Sequence, residues 1–186
     1  AAMADAGGKS DWKQQIIPAK DSVLSMIRVA CYVHQVPEAI AMLEHCHAFG
    51  YETSLNIMAI STASEAEIDQ VLEIARSSPA HVVVVVDSYG ALYREQIDHL
   101  VTKYQAALEG TGKEVGMHAH NNLQLAFANT IEAIILGCNR VDSTLFGMGR
   151  GAGNCPTELL LGFGVVMALQ ARRTLSVPYW HVASVA

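Results

Sequence analysis

Apolar positions along this chain come in two rhythms that take turns. Short runs rich in β-branched residues read as strands: Ile27–Val33 (IRVACYV), Thr53–Ile60 (TSLNIMAI), Val82–Val86, Val115–His120 and Arg140–Leu145. Val82–Val86 is five consecutive valines, the pattern of a strand buried on both faces. Between the runs lie stretches with helical spacing: Glu38–Phe49, Glu65–Arg76, Leu92–Leu108, Leu123–Leu136 and Glu158–Arg172. Gly50 and Gly137 stand where helices end, and Ser64 with Glu67 three residues on makes a capping box before the second helix. Ile16–Ile17 before Pro18 is a further, earlier candidate strand.

The predicted order is therefore β-α repeated, with strands near positions 27, 53, 81, 115 and 140. Alternation at that period means parallel βαβ units. Two α/β architectures fit, an open doubly wound sheet and a (β/α)8 TIM-type barrel. The chain has 186 residues, whereas a whole barrel takes about 250. Five or six units are visible, so a barrel here would be a partial one. The expected division is a flexible leader over 1–14, a partial-barrel catalytic domain over 15–175 and a tail over 176–186.

Composition narrows the class. Hydrophobic residues make up 51% and charged residues 16%, which excludes a disordered chain. The net charge is -6 with no basic stripe, so no nucleic-acid partner is expected. Val82–Val86 and Leu159–Leu169 are far shorter than a membrane span, and no secretory signal core precedes them. Cys31, Cys46, Cys138 and Cys155 show no paired spacing, so the expectation is a cytoplasmic protein with reduced thiols.

Ligands in α/β folds of this kind sit at the C-terminal ends of strands. His118 and His120 in Met117-His118-Ala119-His120 are two apart on a strand end and project to the same side. They make half of a divalent metal site, or two hydrogen-bonded histidines in a polar barrel mouth. The loop Gly147–Asn154 (GMGRGAGN) departs from a dinucleotide fingerprint in its spacing and has no strand with a terminal acid after it. Asn154 is a metal or substrate ligand, or the N-cap of the next helix. Ser88 in Asp87-Ser88-Tyr89-Gly90 can hold a carboxylate, or cap a helix. Asp142 reads as a buried structural carboxylate, Cys138 as structural, and His34 as a lone histidine near a strand end.

Together, HAHNNLQLAFAN, DSYGA and VDSTLFGMGRGAGN resemble the metal-dependent aldolase and lyase superfamily built on a (β/α)8 barrel. It contains 4-hydroxy-2-oxovalerate aldolase, hydroxymethylglutaryl-CoA lyase and the isopropylmalate synthases. The likeness covers residues 27–170 and leans toward the 4-hydroxy-2-oxovalerate aldolase branch. It implies that His118, His120 and Asn154 ligate Mn²⁺ or Mg²⁺, and that Ser88 helps hold the carboxylate of a pyruvate-like group. The implied reaction is cleavage of a 4-hydroxy-2-oxo acid to pyruvate and an aldehyde through a metal-stabilised enolate. Two alternatives stand beside it: an acyl-CoA-dependent Claisen synthase of the same superfamily, and an inactive paralogue serving as an assembly module. Implied partners are a 2-oxo acid, a second copy of the chain, or an aldehyde dehydrogenase. The superfamily's D-x-x-x-R-D-G motif, which supplies an aspartate ligand and an arginine, does not occur in this sequence; Asp5, Asp11 and Asp21 are not followed by it.

Overall fold

A computed structural model describes residues 1–8, 11–171 and 181–184. Seven strands form one sheet: β1 (Ala2–Asp5), β2 (Met26–Cys31), β3 (Glu52–Ile57), β4 (Val82–Asp87), β5 (Glu114–Ala119), β6 (Arg140–Ser143) and β7 (His181–Ser184). All neighbouring pairs are parallel, and the spatial order is the sequence order. A doubly wound sheet reverses its order at a switch point. The unbroken order here is the winding of a barrel, and the sheet is a curled, open half-barrel.

Ion pairs on the concave face report the curl. Arg28 on β2 reaches Asp142 on β6, although the two strands are separated by three others. In a flat sheet they would lie about 19 Å apart, beyond the combined reach of the two side chains. Near the other end of the strands Arg140 on β6 bonds Glu114 on β5 and Glu52 on β3. The pair across β2 and β6 closes only if the sheet bends around its concave side.

The helices are α1 (Trp12–Gln15), α2 (Val36–Ala48), α3 (Glu65–Ser77), α4 (Arg94–Leu108), α5 (Ala126–Ile135) and α6 (Thr157–Ala171). Strand alternation divides the apolar residues between two faces. Val83 and Val85 join the large core under the helices, with Val29, Leu55, Ile57, Met117 and Val141. Val82, Val84 and Val86 form a smaller cluster on the concave face with Met26 and Met58. The valine run is thus buried on both faces, as its composition predicts. Ser64 accepts from the Glu67 amide while the Glu67 carboxylate accepts from the Ser64 amide, the expected capping box of α3.

Four places differ from expectation. Residues 1–14, read as a flexible leader, contain β1 and the first three residues of α1; Ala6 is buried in the core and its amide bonds Ala30. Ile16–Ile17 is not a strand, and the earlier strand is Ala2–Asp5, whose alternating small residues hide its period. Residues 181–184, within the expected tail, pair with β6; Arg172, the expected end of the last helix, lies outside the described residues. Helix α5 also begins later than its apolar pattern suggests. The Asn121 side-chain oxygen accepts from the Ala126 amide and Gln124 adopts a left-handed backbone, so the stretch before α5 is turn.

Candidate active site

His118 sits beside Val86 in the β4–β5 register, which puts it on the concave face. His120, two residues on, follows it, and their Nε2 atoms lie 3.4 Å apart. Nδ1 of His118 is 3.0 Å from Oδ2 of Asp142. Asp142 in turn accepts from the Arg28 guanidinium on both oxygens, with Nη1 at 2.9 Å from Oδ1. Burial pushes the Asp142 carboxyl up, but the hydrogen bonds from His118 and Arg28 outweigh it and hold it below the usual carboxylate range. The Asp142 carboxylate accepts from Nδ1–H of His118, which turns Nε2 toward His120. Burial, then the neighbouring His118, holds His120 below the ordinary histidine range, and Arg150 adds to this against Asp87. The two imidazole edges therefore face each other across the concave surface.

The loops after β4 and β5 are tied together beneath this pair. Asp87 accepts from the Ala91 and Leu92 amides with its carboxylate, and its carbonyl accepts from the His120 amide. Gly90 has φ +56°, and a Cβ there would stand 2.6 Å from the Asn122 nitrogen. Only glycine lets the turn lie against the chain after His120. Ser88 does not cap α4, whose N-cap is Tyr93. Its Oγ accepts from the Ala59 amide at 2.8 Å, and the residue lines the concave cavity.

The Asn154 side chain turns into the glycine loop. The backbone of Asn154 bridges His120. Its Nδ2 donates to the Met148 carbonyl at 3.0 Å, which clips the glycine loop rather than capping α6. Its Oδ1 is buried and has no hydrogen-bond partner among the described residues. A buried oxygen without a partner, on a residue whose backbone bridges His120, is a donor such a loop would offer a cation. Gly153 closes the loop with φ +93°, and a Cβ there would run into the Gly147 carbonyl.

Both histidines and Ser88 line a cavity of about 400 Å³, together with Asn56, Tyr32, Tyr89, Asn122 and Arg150 among others. Sequence reasoning singled out both histidines, Ser88, Asn154 and Asp142, and missed Arg28, Asn56, Tyr32 and Arg150. Arg28 and Asn56 each interrupt an otherwise apolar strand, and that polar residue in a buried run was the available signal. His34 is exposed and stacks on Tyr32 rather than lining the cavity. The four cysteines are free and buried, and burial pushes Cys31 and Cys138 up to about 12. Among the described residues no group of three or more His, Cys, Asp or Glu side chains is arranged to hold a metal ion. No described helix is long and apolar enough to cross a membrane.

Comparison with known proteins adds the lineage. The HMGL-like family profile matches residues 25–183. The chain belongs to the HMGL-like family. Within it, the chain is 37% identical over 139 residues to the 4-hydroxy-2-oxovalerate aldolase of Geobacillus thermodenitrificans, covering 74% of this chain and 40% of that protein. It is 33% identical over 150 residues to 4-hydroxy-2-oxovalerate aldolase 2 of Mycolicibacterium smegmatis, covering 81% of this chain and 43% of that one. This HMGL-like chain thus spans about two fifths of the length of the curated relatives it matches. Among solved structures, the N-terminal domain of a candidate aldolase from Bacteroides vulgatus superposes with a TM-score of 0.70 at 26% identity, over 95% of this chain and 57% of that chain. A hydroxymethylglutaryl-CoA lyase from Pseudomonas aeruginosa shares the fold at TM-score 0.70 and 16% identity, over 89% of this chain and 62% of that one.

Proposed function

We propose that this chain carries the metal-binding wall of a carbon–carbon lyase that splits a 4-hydroxy-2-oxo acid into pyruvate and an aldehyde. The observation that carries the reading is the pair of Nε2 atoms 3.4 Å apart, with His118 hydrogen-bonded to Asp142; Asn154, whose backbone bridges His120, adds a buried side-chain oxygen with no partner among the described residues. His118, His120 and Asn154 would hold a divalent ion, Mn²⁺ or Mg²⁺. A nitrogen pair with one amide oxygen fits such a cation and leaves positions open for substrate. When bound, the ion would supply Lewis-acid polarisation of a keto group.

The chain's own residues do the rest of what this wall contributes. Asp142 and Arg28 keep His118 in one tautomer and one orientation. Ser88, at the end of β4, offers a hydroxyl that already accepts from Ala59 and is free to donate to a substrate carboxylate. Val86 and Met58 give the cavity an apolar wall that strengthens these polar contacts by limiting water. Among the described residues the cavity lining contains no Asp, Glu or Lys, so the imidazoles are the groups there that can take up a proton.

The test is a Mn²⁺ titration by calorimetry of the wild type, a His118→Ala/His120→Ala variant and Asn154→Ala. Binding that vanishes in the double variant and weakens at least tenfold in Asn154→Ala supports the reading. Unchanged affinity in the double variant would sink it. A second reading, an assembly module, draws on a different observation: Leu145, Phe146, Met148, Leu159, Leu161 and Val165 are all more than half exposed. On that reading the chain self-associates, and sedimentation velocity showing a stable monomer removes it.

A further inference from the structure

The mouth of the cavity carries a guanidinium that no side chain among the described residues employs. The other described arginines each have an acceptor: Arg28 has Asp142, Arg76 the Ala107 carbonyl, Arg94 Glu132, and Arg140 both Glu52 and Glu114. Arg150 is exposed and lines the cavity, and no carboxylate pairs with it among the described residues. Its backbone is not loose. The Gly153 amide bonds the Arg150 carbonyl at 3.0 Å, the Asn121 amide bonds Gly153 at 2.8 Å, and the Asn154 amide bonds Gly147 at 2.9 Å. The loop is pinned to the chain that follows His120, with its cation held at the entrance.

Charge and depth together say what that cation faces. In a chain of net charge -6, the described lining of this cavity contains one permanently charged side chain, and it is positive. The deep wall is made by buried Asn56 and half-buried Ser88 and His118; the exposed rim is made by Tyr89, Tyr32, Asn122 and Arg150. A ligand whose oxo-acid end lies against the histidines and Ser88 brings its far end to the rim. About 400 Å³ is much more than a three-carbon oxo acid fills, so the far end has room to exist.

We propose that Arg150 is a specificity-determining residue that selects substrates with an anionic far end, a carboxylate or a phosphate on the aldehyde-derived portion. This rests on the lyase reading for which end of the substrate is seated deep. A guanidinium suits either group because its fork matches both in a two-bond geometry.

Calorimetric titrations without added metal compare 2-oxopentanedioate with 2-oxopentanoate, which share a five-carbon chain and differ in the terminal carboxylate; 3-phosphonopyruvate serves as the phosphorus-bearing probe. The wild type should favour an anionic tail by about tenfold or more. Arg150→Gln should abolish that preference while leaving 2-oxopentanoate unchanged, and Arg150→Lys should restore part of it. Whichever tailed probe shows the larger Arg150-dependent gain identifies carboxylate or phosphate as the preferred group. Equal binding of tailed and untailed probes to the wild type overturns the proposal. So does a preference that survives Arg150→Gln, an equal loss for all probes, or no binding of any probe at millimolar concentration. Mn²⁺ affinity measured on the same samples tests the lyase reading separately: its loss with the tail preference intact refutes that reading alone.

Discussion

Replacing Arg28 by methionine would show how much the concave face depends on one buried ion pair. Arg28 and Asp142 are 6% and 7% exposed. Methionine keeps most of the stem's volume and removes both N–H donors to the carboxylate. Breaking one partner of a buried pair costs about 3–5 kcal/mol, because the remaining charge is left without compensation. Asp142 retains His118 as a donor, which places the expected loss near the lower end, about 3 kcal/mol. With a urea slope of about 2 kcal/mol/M, the midpoint of unfolding should fall by about 1.5 M. Arg28→Met/Asp142→Leu should recover most of the loss, since an apolar pair of similar volume replaces an ion pair nearly neutrally. The pH dependence has a definite sign. In the wild type the Asp142 carboxyl is lowered, so its contribution is full above the unfolded value of about 3.9 and is lost as pH falls through the folded value. In Arg28→Met the carboxylate lacks its guanidinium donor, and protonation lessens the cost of burying it. The gap between wild type and variant should therefore be widest at neutral pH and narrow in acid. A single-variant loss under about 1 kcal/mol at neutral pH, or a double variant no better than the single, would refute the reasoning.

Other outcomes follow from the same geometry. Asp142→Ala should weaken Mn²⁺ binding by about 10–100-fold in calorimetry, since the acceptor that orients His118 is gone, and ¹⁵N spectra should show His118 populating both neutral tautomers. Gly90→Ala should lower stability by more than about 1 kcal/mol in urea, because the new methyl meets the Asn122 amide on a left-handed backbone. Ser64→Ala should cost about 1 kcal/mol and leave Mn²⁺ affinity untouched, as the cap of α3 lies away from the cavity. The four thiols should react with a disulfide reagent only after unfolding, since all are buried and burial raises each pKa.

The parts of this fold legible from sequence are those whose signal is local. Five strands announce themselves as β-branched runs, and the His118–His120 spacing alone places both rings on one face. What sequence reading missed depends on distance or on weak local pattern. β1 is an alternation of alanines with a methionine and an aspartate, too small in side chain to show a strand period. The Arg28–Asp142 pair joins residues 114 positions apart, and only the curl of the sheet makes it possible. Arg150 lay in view inside a glycine loop, but nothing in the spacing says that its guanidinium would be left without a partner at a cavity mouth.

The division of each strand between two faces has an evolutionary consequence. On β4 and β5 the residues that hold the helices, Val83, Val85, Val115 and Met117, alternate with those that meet the cavity, Val86 and His118. Substitutions on the inward set alter chemistry without touching the packing that keeps the helices in place, and substitutions on the outward set do the reverse. A lineage built on such strands can try new reactions at little risk to its architecture.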